Sequence, residues 1–317
     1  MPAAQIGGRS ACAMTGLSDS YTATRLGLRG RIKEALSLYR SHAADRPAKV
    51  AAYLKEMDEN RLCIEAVLGQ PLVGKTVLEI GPGQQLRQAR YFAATNQVVA
   101  IDLDEILTSF DPVALLRTVR VNGPVRFAKT LARKLAGFDR RFLQETIRQR
   151  PSLRGSRPQV LRKDATNTGL PSSSFDCAMS VSVFEHLPDP AAVFREIGRL
   201  LRPGGVSHHI IHLYSSDSGA HDARSYAQVR AGFPYWCHLR PDLQHLLASN
   251  CYVNKLSLAQ WIALVEKECP GVQVTQFRAG SPYTEELAKL RATGELSGYS
   301  DDELLTLCVL AVWKKPA

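Results

Sequence analysis

The spacing of apolar residues alternates between two periods along the chain, which predicts alternating strands and helices. Short apolar runs typical of buried strands start near residues 75, 97, 159, 175, 206, 272 and 306. Between them, apolar residues recur every three or four positions, as in amphipathic helices, most clearly over 84–94, 190–201 and 258–268. This alternation predicts an α/β fold: an open, mostly parallel sheet of seven strands with helices on both faces.

A helical segment precedes this core. Residues 31–68 have helical periodicity, and Pro47 is expected to divide them into two helices. The sequence therefore predicts an N-terminal helical extension over 1–70, followed by one main domain over 71–317.

Two further segments are longer than the core requires. The second and third strands are about 55 residues apart, roughly twice what a crossover needs, so 103–158 is predicted to be a helical insert. Residues 214–254 are weakly periodic and carry histidines and aromatic residues. Each segment follows the carboxyl end of a strand, and open α/β folds bind ligands at that edge of the sheet. We therefore expect 214–254 on the substrate side of the site.

Charge distinguishes the first insert from the rest of the chain. The formal net charge is +10, and the stretch from Pro112 to Lys163 holds fourteen Lys and Arg residues against two acids, Asp139 and Glu145. Apolar residues recur there at helical steps, at Val125, Ala128, Leu131, Ala132, Leu135 and Phe138. We expect two or three helices whose apolar stripe packs on the same domain, with the following arginines exposed: Arg140, Arg141, Arg148 and Arg150. A basic amphipathic helix also suits an anionic membrane, nucleic acid or a phosphorylated carrier.

Composition excludes several other classes of protein. Hydrophobic residues make up 45% of the 317 positions, as in a globular protein, and no apolar run is long enough to span a membrane. The first twenty residues lack the apolar core of a signal peptide. The seven cysteines are scattered and form no CxxC pair, so we expect reduced thiols in a cytoplasmic protein.

A glycine turn and two carboxylates mark the start of the sheet. Gly81 and Gly83 follow the first strand, and Glu79 stands two residues before them. Glycine lacks a Cβ, so a ligand can approach this backbone closely. Asp102 ends the second strand, where a carboxylate can bind both hydroxyls of a ribose. The dinucleotide pattern GxGxxG is absent, because Leu86 stands where its third glycine would be.

Further motifs follow in order. They are Asp164-Ala165 with Leu170-Pro171, then Phe175-Asp176, then Ser-Val-Ser-Val-Phe-Glu-His-Leu over 180–187, and Leu-Arg-Pro-Gly-Gly over 201–205. Together, across about 75–213, the set resembles the class I S-adenosylmethionine (SAM) dependent methyltransferases, which have a Rossmann-like fold, and is most similar to the broad group acting on small molecules. The resemblance implies SAM as cofactor and a pocket formed by Glu79, Gly81, Gly83, Asp102, Leu103, Asp164, Ala165 and the backbone of Ser180.

The acceptor is less clearly indicated. The fourth strand lacks the Asn/Asp-Pro-Pro-Tyr of enzymes that methylate exocyclic amines of bases, and no cysteine stands at its end for C5 methylation. We therefore predict direct O-methylation of a sugar, a glycolipid precursor or another small metabolite. A phosphorylated or lipid-linked acceptor and N-methylation both stay open. Residues 204–213 and 250–256, with Trp261, also resemble bacterial methyltransferases of surface-polysaccharide and secondary-metabolite clusters, but His212 replaces their Asp. The alternatives are an RNA methyltransferase using the basic insert and a SAM-fold binding protein without catalysis.

A histidine is the best candidate for the general base. In the fifth strand His212 stands nearest the carboxyl end, and an imidazole titrates near neutrality. His186, His221 and Asp217 are rival candidates, and a purely structural role for His212 is also open. No spacing is diagnostic of a metal site, so none is predicted, although a site of His and Asp ligands stays open.

Overall fold

All seven predicted strands form one sheet. The computed structural model describes residues 45–226, 230, 232–249 and 251–317. The strand order is β3-β2-β1-β4-β5-β7-β6. The strands are β1 (Thr76–Ile80), β2 (Gln97–Asp102), β3 (Gln159–Arg162), β4 (Phe175–Val181), β5 (Leu201–His212), β6 (Gln273–Arg278) and β7 (Thr306–Lys314). The helices of the described residues are α1 (Arg46–Leu68), α2 (Arg87–Phe92), α3 (Pro112–Asn122), α4 (Pro124–Leu135), α5 (Phe138–Gln149), α6 (Pro190–Leu200), α7 (Leu258–Glu268), α8 (Ser281–Ala292) and α9 (Asp301–Leu305).

The sheet is mostly parallel, as predicted. Strands β1 to β5 run parallel, with Val77 of β1 paired to Val98 of β2 and to Cys177 of β4. Strand β7 lies between β5 and β6 and is antiparallel to both. The carboxyl ends of β1, β2, β4 and β5 therefore meet at one edge, where the candidate site lies.

Alternating strand residues form a core on each face of the sheet. Val77 and Met179 belong to a cluster with residues of α1 and α2, whereas their neighbours Leu78 and Ala178 pack with α6 and α7. This period of two is the one expected for strands buried on both faces. A third cluster joins Trp236, in the segment after β5, to α8 and α9.

The helix after the glycine turn begins later than predicted. It starts at Arg87, not at residue 84, because Leu86 has the left-handed backbone angle φ 53°. Gln84 instead bonds the segment after β2, donating to the Glu105 carbonyl at 2.9 Å and accepting from the Leu107 amide at 3.2 Å. Gln84 therefore connects the glycine turn to the segment after β2 instead of beginning the helix.

Two other boundaries differ from the sequence-based expectation. Strand β5 begins at Leu201, five residues early, with a register shift between Phe175 and Cys177 of its neighbour β4. Helix α1 begins at Arg46 with Pro47 in its first turn, so Pro47 opens a helix. The helix expected before it falls outside the described residues. Helices α8 and α9 were not predicted, and the boundary drawn near residue 70 stays a prediction.

The basic insert forms three helices between β2 and β3, within the predicted number, but most of its predicted apolar stripe does not pack on the domain. On α4 the apolar residues Val125 and Leu135 are 62% and 72% exposed, whereas Thr130 is buried. The insert packs on the core through Phe142 and Leu153, and Arg133 and Lys134 pair with Asp139. Helix α5 packs on α1.

Only some of the four insert arginines that were expected to be exposed are exposed. The Arg150 guanidinium binds Asp58 of α1 through two nitrogens, each 2.6 Å from a carboxylate oxygen. Arg148 pairs with Glu145, and Arg141 donates to the Ala136 carbonyl. Only Arg140 of this group is both exposed and outside these bonds. The Arg150–Asp58 pair therefore attaches the insert to helix α1.

Candidate active site at the carboxyl edge of the sheet

The glycine turn fits tightly against the segment that follows β4. Gly81 and Gly83 have φ angles of 66° and 63°, a region that favours glycine. A Cβ added to Gly81 would lie 2.5 Å from Cγ2 of Val183, while nothing lies within 4 Å of the corresponding position at Gly83. Gly81 therefore permits both the turn and the close packing of Val183.

Two buried carboxyl groups lie beside this turn. Glu79 is 4% exposed, and its Oε2 has no hydrogen-bond partner among the described residues. Burial, with Asp102 nearby, raises the pKa of Glu79 to about 8. Burial also raises the pKa of Asp102 to about 6, although its carboxylate accepts the Asp104 amide at 2.9 Å. A buried acceptor without a donor suits a polar ligand, so these residues fit the hydroxyl and amino groups of SAM.

The other predicted cofactor residues lie along the same edge in different environments. Leu103 is 58% exposed, so its side chain is open to a ligand. Asp164 is exposed, and its Oδ1 accepts the Thr166 amide at 2.8 Å, while Ala165 is buried. The Ser180 hydroxyl lies inside the sheet layer, 2.8 Å from Nδ1 of His209, so only the Ser180 backbone is placed to meet a ligand.

Tyr53 of α1 is a neighbour of this region that the sequence did not single out. Its hydroxyl donates to the Arg87 carbonyl at 2.7 Å, and burial with the Glu79 carboxyl group raises the Tyr53 pKa. Tyr53 therefore joins helix α1 to the first residue of helix α2, close to Glu79. Helical periodicity places Tyr53 on a helix, but it does not indicate which side chains of that helix face the edge of the sheet.

A histidine cluster lies at the ends of β4 and β5. His212 is the last residue of β5, His221 lies in the following loop, and His186 ends the turn after β4. The His221 ring centroid is 4.9 Å from that of His212 and 4.7 Å from that of His186. Three of the four residues proposed as general base, far apart in the sequence, are thus brought together.

His212 is held on both sides of its ring. Its Nε2 lies 3.1 Å from the Ser216 hydroxyl, which itself donates to the Leu213 carbonyl, and 3.0 Å from the Ser218 hydroxyl. Its Nδ1 lies 3.4 Å from Nε2 of His221. Burial lowers the pKa of His212 to about 4, with a contribution from His186 and His238. At neutral pH the imidazole is therefore uncharged.

His186 is oriented differently and lies nearer the surface. Its Nδ1 donates to the Tyr252 carbonyl at 2.8 Å, which leaves Nε2 as the proton-accepting nitrogen. Asn254 fixes this turn, because its side-chain amide donates to the Phe184 carbonyl at 2.8 Å. Asp217 lies outside the cluster contacts: it accepts the Trp236 amide and pairs with Arg230.

Glu185 completes the cluster and was missed by sequence reasoning. It is 1% exposed, and burial raises its pKa to about 8, while the Glu185 and His212 amides and the Ser182 hydroxyl oppose that rise. None of these donors reaches either carboxyl oxygen with normal hydrogen-bond geometry. Ser182 and His221 both have left-handed backbone angles, φ 51° and 55°. Strained residues of this kind concentrate at functional sites.

Comparison with known proteins identifies the class. A family model described as a methyltransferase domain matches residues 49–265, more than half of the chain. The chain therefore belongs to this methyltransferase family, and its fold is that of a class I SAM-dependent methyltransferase. No curated protein matches the sequence.

Solved structures with a similar fold include three distant examples. Phosphoethanolamine N-methyltransferase 2 of Haemonchus contortus, solved with SAM, is 18% identical over 82% of this chain, with a TM-score of 0.43. This chain spans about half of that protein's length, 53%. A SAM-dependent methyltransferase from Mesorhizobium loti is 16% identical over 77% of this chain and 92% of its own, with a TM-score of 0.38. The [4+2]-cyclase SpnF is 14% identical over 81% and 82%, with a TM-score of 0.40.

These likenesses concern the fold alone. Within the described part of the chain, every helix is too short or too polar to cross a bilayer.

Proposed function

We propose that this protein transfers a methyl group from SAM to a hydroxyl oxygen of a small metabolite. The observation that carries the proposal is the cluster of His186, His212, His221 and Glu185 beside the glycine turn. Val183 packs against Gly81 only two residues before Glu185, so the cluster borders the cofactor pocket. Methylation of an oxygen requires removal of its proton, and imidazoles at the pocket can accept it.

The cofactor side would act by binding and orientation. Bound SAM supplies an electrophilic methyl group on a sulfur that is a good leaving group. Asp102 would accept hydrogen bonds from the ribose hydroxyls, and Glu79 would gain the donor it lacks. The Gly81–Gly83 turn would keep side chains away from the ligand. Correct placement of two reactants supplies much of the rate in such a transfer.

The acceptor side would remove the proton. His212, the residue predicted from the sequence, is uncharged at neutral pH, but its lowered pKa makes it a weak base, and both ring nitrogens already have close neighbours. His186 has its Nε2 set as an acceptor by the bond to Tyr252 and lies nearer the surface. We therefore propose these two histidines as candidates for the base, with substitution deciding between them.

The basic insert suggests how the acceptor is presented. Val125, Ala128, Ala132 and Leu135 recur at steps of three and four and are all exposed on α4. Lys129 lies on the same exposed side. An apolar arc with basic neighbours suits an anionic membrane surface, where a lipid-linked acceptor would be found.

The direct test is product detection. The full chain is incubated with SAM labelled in its methyl group and with metabolite extracts of a strain deleted for the gene. Products are then sought that gain one CH₂ and hold the label in an ether linkage. Label recovered on nitrogen or in RNA would contradict the proposal. SAM binding without turnover on any extract would indicate a binding protein instead.

A further inference from the structure

The Glu185–His212–His221 group has the composition of a metal site. One potential ligand atom from each residue lies within 4.8 Å of those of the other two, and all three side chains are buried. Two histidines and one carboxylate form the protein ligands of several catalytic zinc sites and of non-haem iron sites. We propose that these three side chains bind one divalent transition-metal ion, with zinc as the best fit.

The distance between the two imidazoles supports tetrahedral coordination. His212 Nδ1 and His221 Nε2 are 3.4 Å apart. Two nitrogens bound to a tetrahedral zinc ion at 2.0–2.1 Å would be about 3.3–3.4 Å apart. The ring nitrogens therefore already stand at the separation that the ion requires.

The second ring nitrogen of His212 has hydrogen-bond partners of its own. Its Nε2 lies 3.1 Å from the Ser216 hydroxyl, which donates to the Leu213 carbonyl at 2.7 Å, and 3.0 Å from the Ser218 hydroxyl. With the proton on Nε2, the lone pair of Nδ1 would face His221. A metal-binding histidine commonly donates its other N–H in this way, which fixes the orientation of the ring.

Buried polar atoms without partners support the same site. Glu185 is buried, and neither of its carboxyl oxygens forms a hydrogen bond of normal geometry within the described residues. Nδ1 of His221 is buried and also has no hydrogen-bond partner there. Buried polar groups normally have partners, and the carboxyl oxygens of Glu185 would gain one in a bound cation.

The position of the ion suggests its use. Three protein ligands leave a tetrahedral ion one open position, and a metal ion can bind an oxygen and make it more acidic. An acceptor hydroxyl at that position would lose its proton more easily. This second part rests on the proposed O-methylation, whereas binding of the ion does not.

Metal binding can be measured without cofactor or acceptor. The full-length protein is stripped with a chelator and titrated with Co²⁺, whose visible absorption reports bound ligands, and bound Co²⁺ is then displaced with Zn²⁺. We expect one ion per chain. Glu185→Gln and His221→Ala should each weaken Co²⁺ binding at least about tenfold. His245→Ala removes an exposed histidine outside the cluster and should bind Co²⁺ as the wild type does.

Several results would overturn the site. These are an absence of Co²⁺ binding in folded wild-type protein, equal binding in wild type and Glu185→Gln, and loss of binding in His245→Ala. Circular dichroism and thermal unfolding establish that each variant is folded, and the isosteric Glu185→Gln keeps the packing closest to the original. A failure of methyl transfer with Co²⁺ binding intact would count against the proposed function and not against the metal site.

Discussion

The cofactor side and the acceptor side of the cleft are built in different ways. The proposed cofactor residues Glu79, Gly81, Gly83 and Asp102 lie within one strand, turn and strand. The acceptor side draws on a turn after β4 and a loop after β5, so His186 and His221 come together only in the folded chain. A ligand shared by many enzymes can be bound by a local motif, whereas a particular acceptor requires an assembly of distant residues. The following predictions test that division.

The largest effect is expected on turnover from the histidine cluster. His212→Ala should lower methyl transfer about 10²–10⁴-fold, because it removes the base or a ligand of the proposed ion. SAM affinity should be unchanged, since Glu79 and Asp102 remain. Single-turnover rates and calorimetric SAM binding measure the two properties separately.

His186→Ala separates the role of general base from the role of metal ligand. If His186 is the base, its loss should reduce turnover by a similar factor and leave Co²⁺ binding intact, whereas loss of His212 should abolish both. Full activity in His212→Ala would mean that His212 has only a structural role. His245→Ala provides the surface histidine control.

The glycine turn should have the next largest effect, on stability. Gly81→Ala introduces a side chain at positive φ and pushes it against Val183, so we expect a loss of about 2–5 kcal/mol. Gly83→Ala has the same backbone strain but open space, so it should lose about 1–2 kcal/mol. Thermal unfolding of both variants provides the comparison. Equal losses would mean that packing on Val183 contributes nothing.

The sequence predicted the strands and the turn that carry the proposed cofactor residues because these elements are local. Glu79, the glycines and Asp102 lie within one βαβ unit, whose strands are parallel. Glu185 was missed because it carries no periodic signal and its partners lie 27 and 36 residues further on. The outward apolar side of α4 was also missed, because helical spacing identifies a stripe but not the surface it meets.

Asp102 should have a smaller effect, confined to the cofactor. Asp102→Ala should weaken SAM binding by about 1.5–3 kcal/mol, the scale of losing a charged hydrogen-bond partner. Asp104→Ala is the matched control, because Asp104 is two residues away and pairs with Arg126 at 2.7 Å. Calorimetry on both folded variants decides the assignment. If Asp104→Ala lost the affinity instead, the ribose contact would move to that residue.

The pH dependence of stability tests the burial of Glu79. Its folded-state pKa, about 8, exceeds the ordinary 4.5, so its favourable contribution is complete below pH 4.5 and is lost as pH rises toward 8. Glu79→Gln should therefore gain at least about 1 kcal/mol relative to wild type between pH 5 and pH 8, in the absence of SAM. Glu145→Gln should leave this slope unchanged, because pairing with Arg148 lowers the pKa of Glu145 to about 2. Parallel wild-type and Glu79→Gln curves would contradict the assignment.

The smallest effect concerns the insert, which belongs to neither side of the cleft. If the exposed arc of α4 meets an anionic membrane, Leu135→Asp should weaken sedimentation with phosphatidylglycerol vesicles about three- to tenfold, since one apolar contact is lost and one repulsive charge is added. Leu62→Asp is the matched control, because Leu62 is also exposed, at 55%, but lies on α1.

Binding should weaken with salt, because exposed charges are screened within about 8–10 Å at physiological ionic strength. Equal sedimentation of both variants, or a preference of the insert for RNA over vesicles, would exclude a membrane role. The exposed apolar residues of α4 would then need another binding partner, because their exposure follows from the fold and does not depend on the vesicle result.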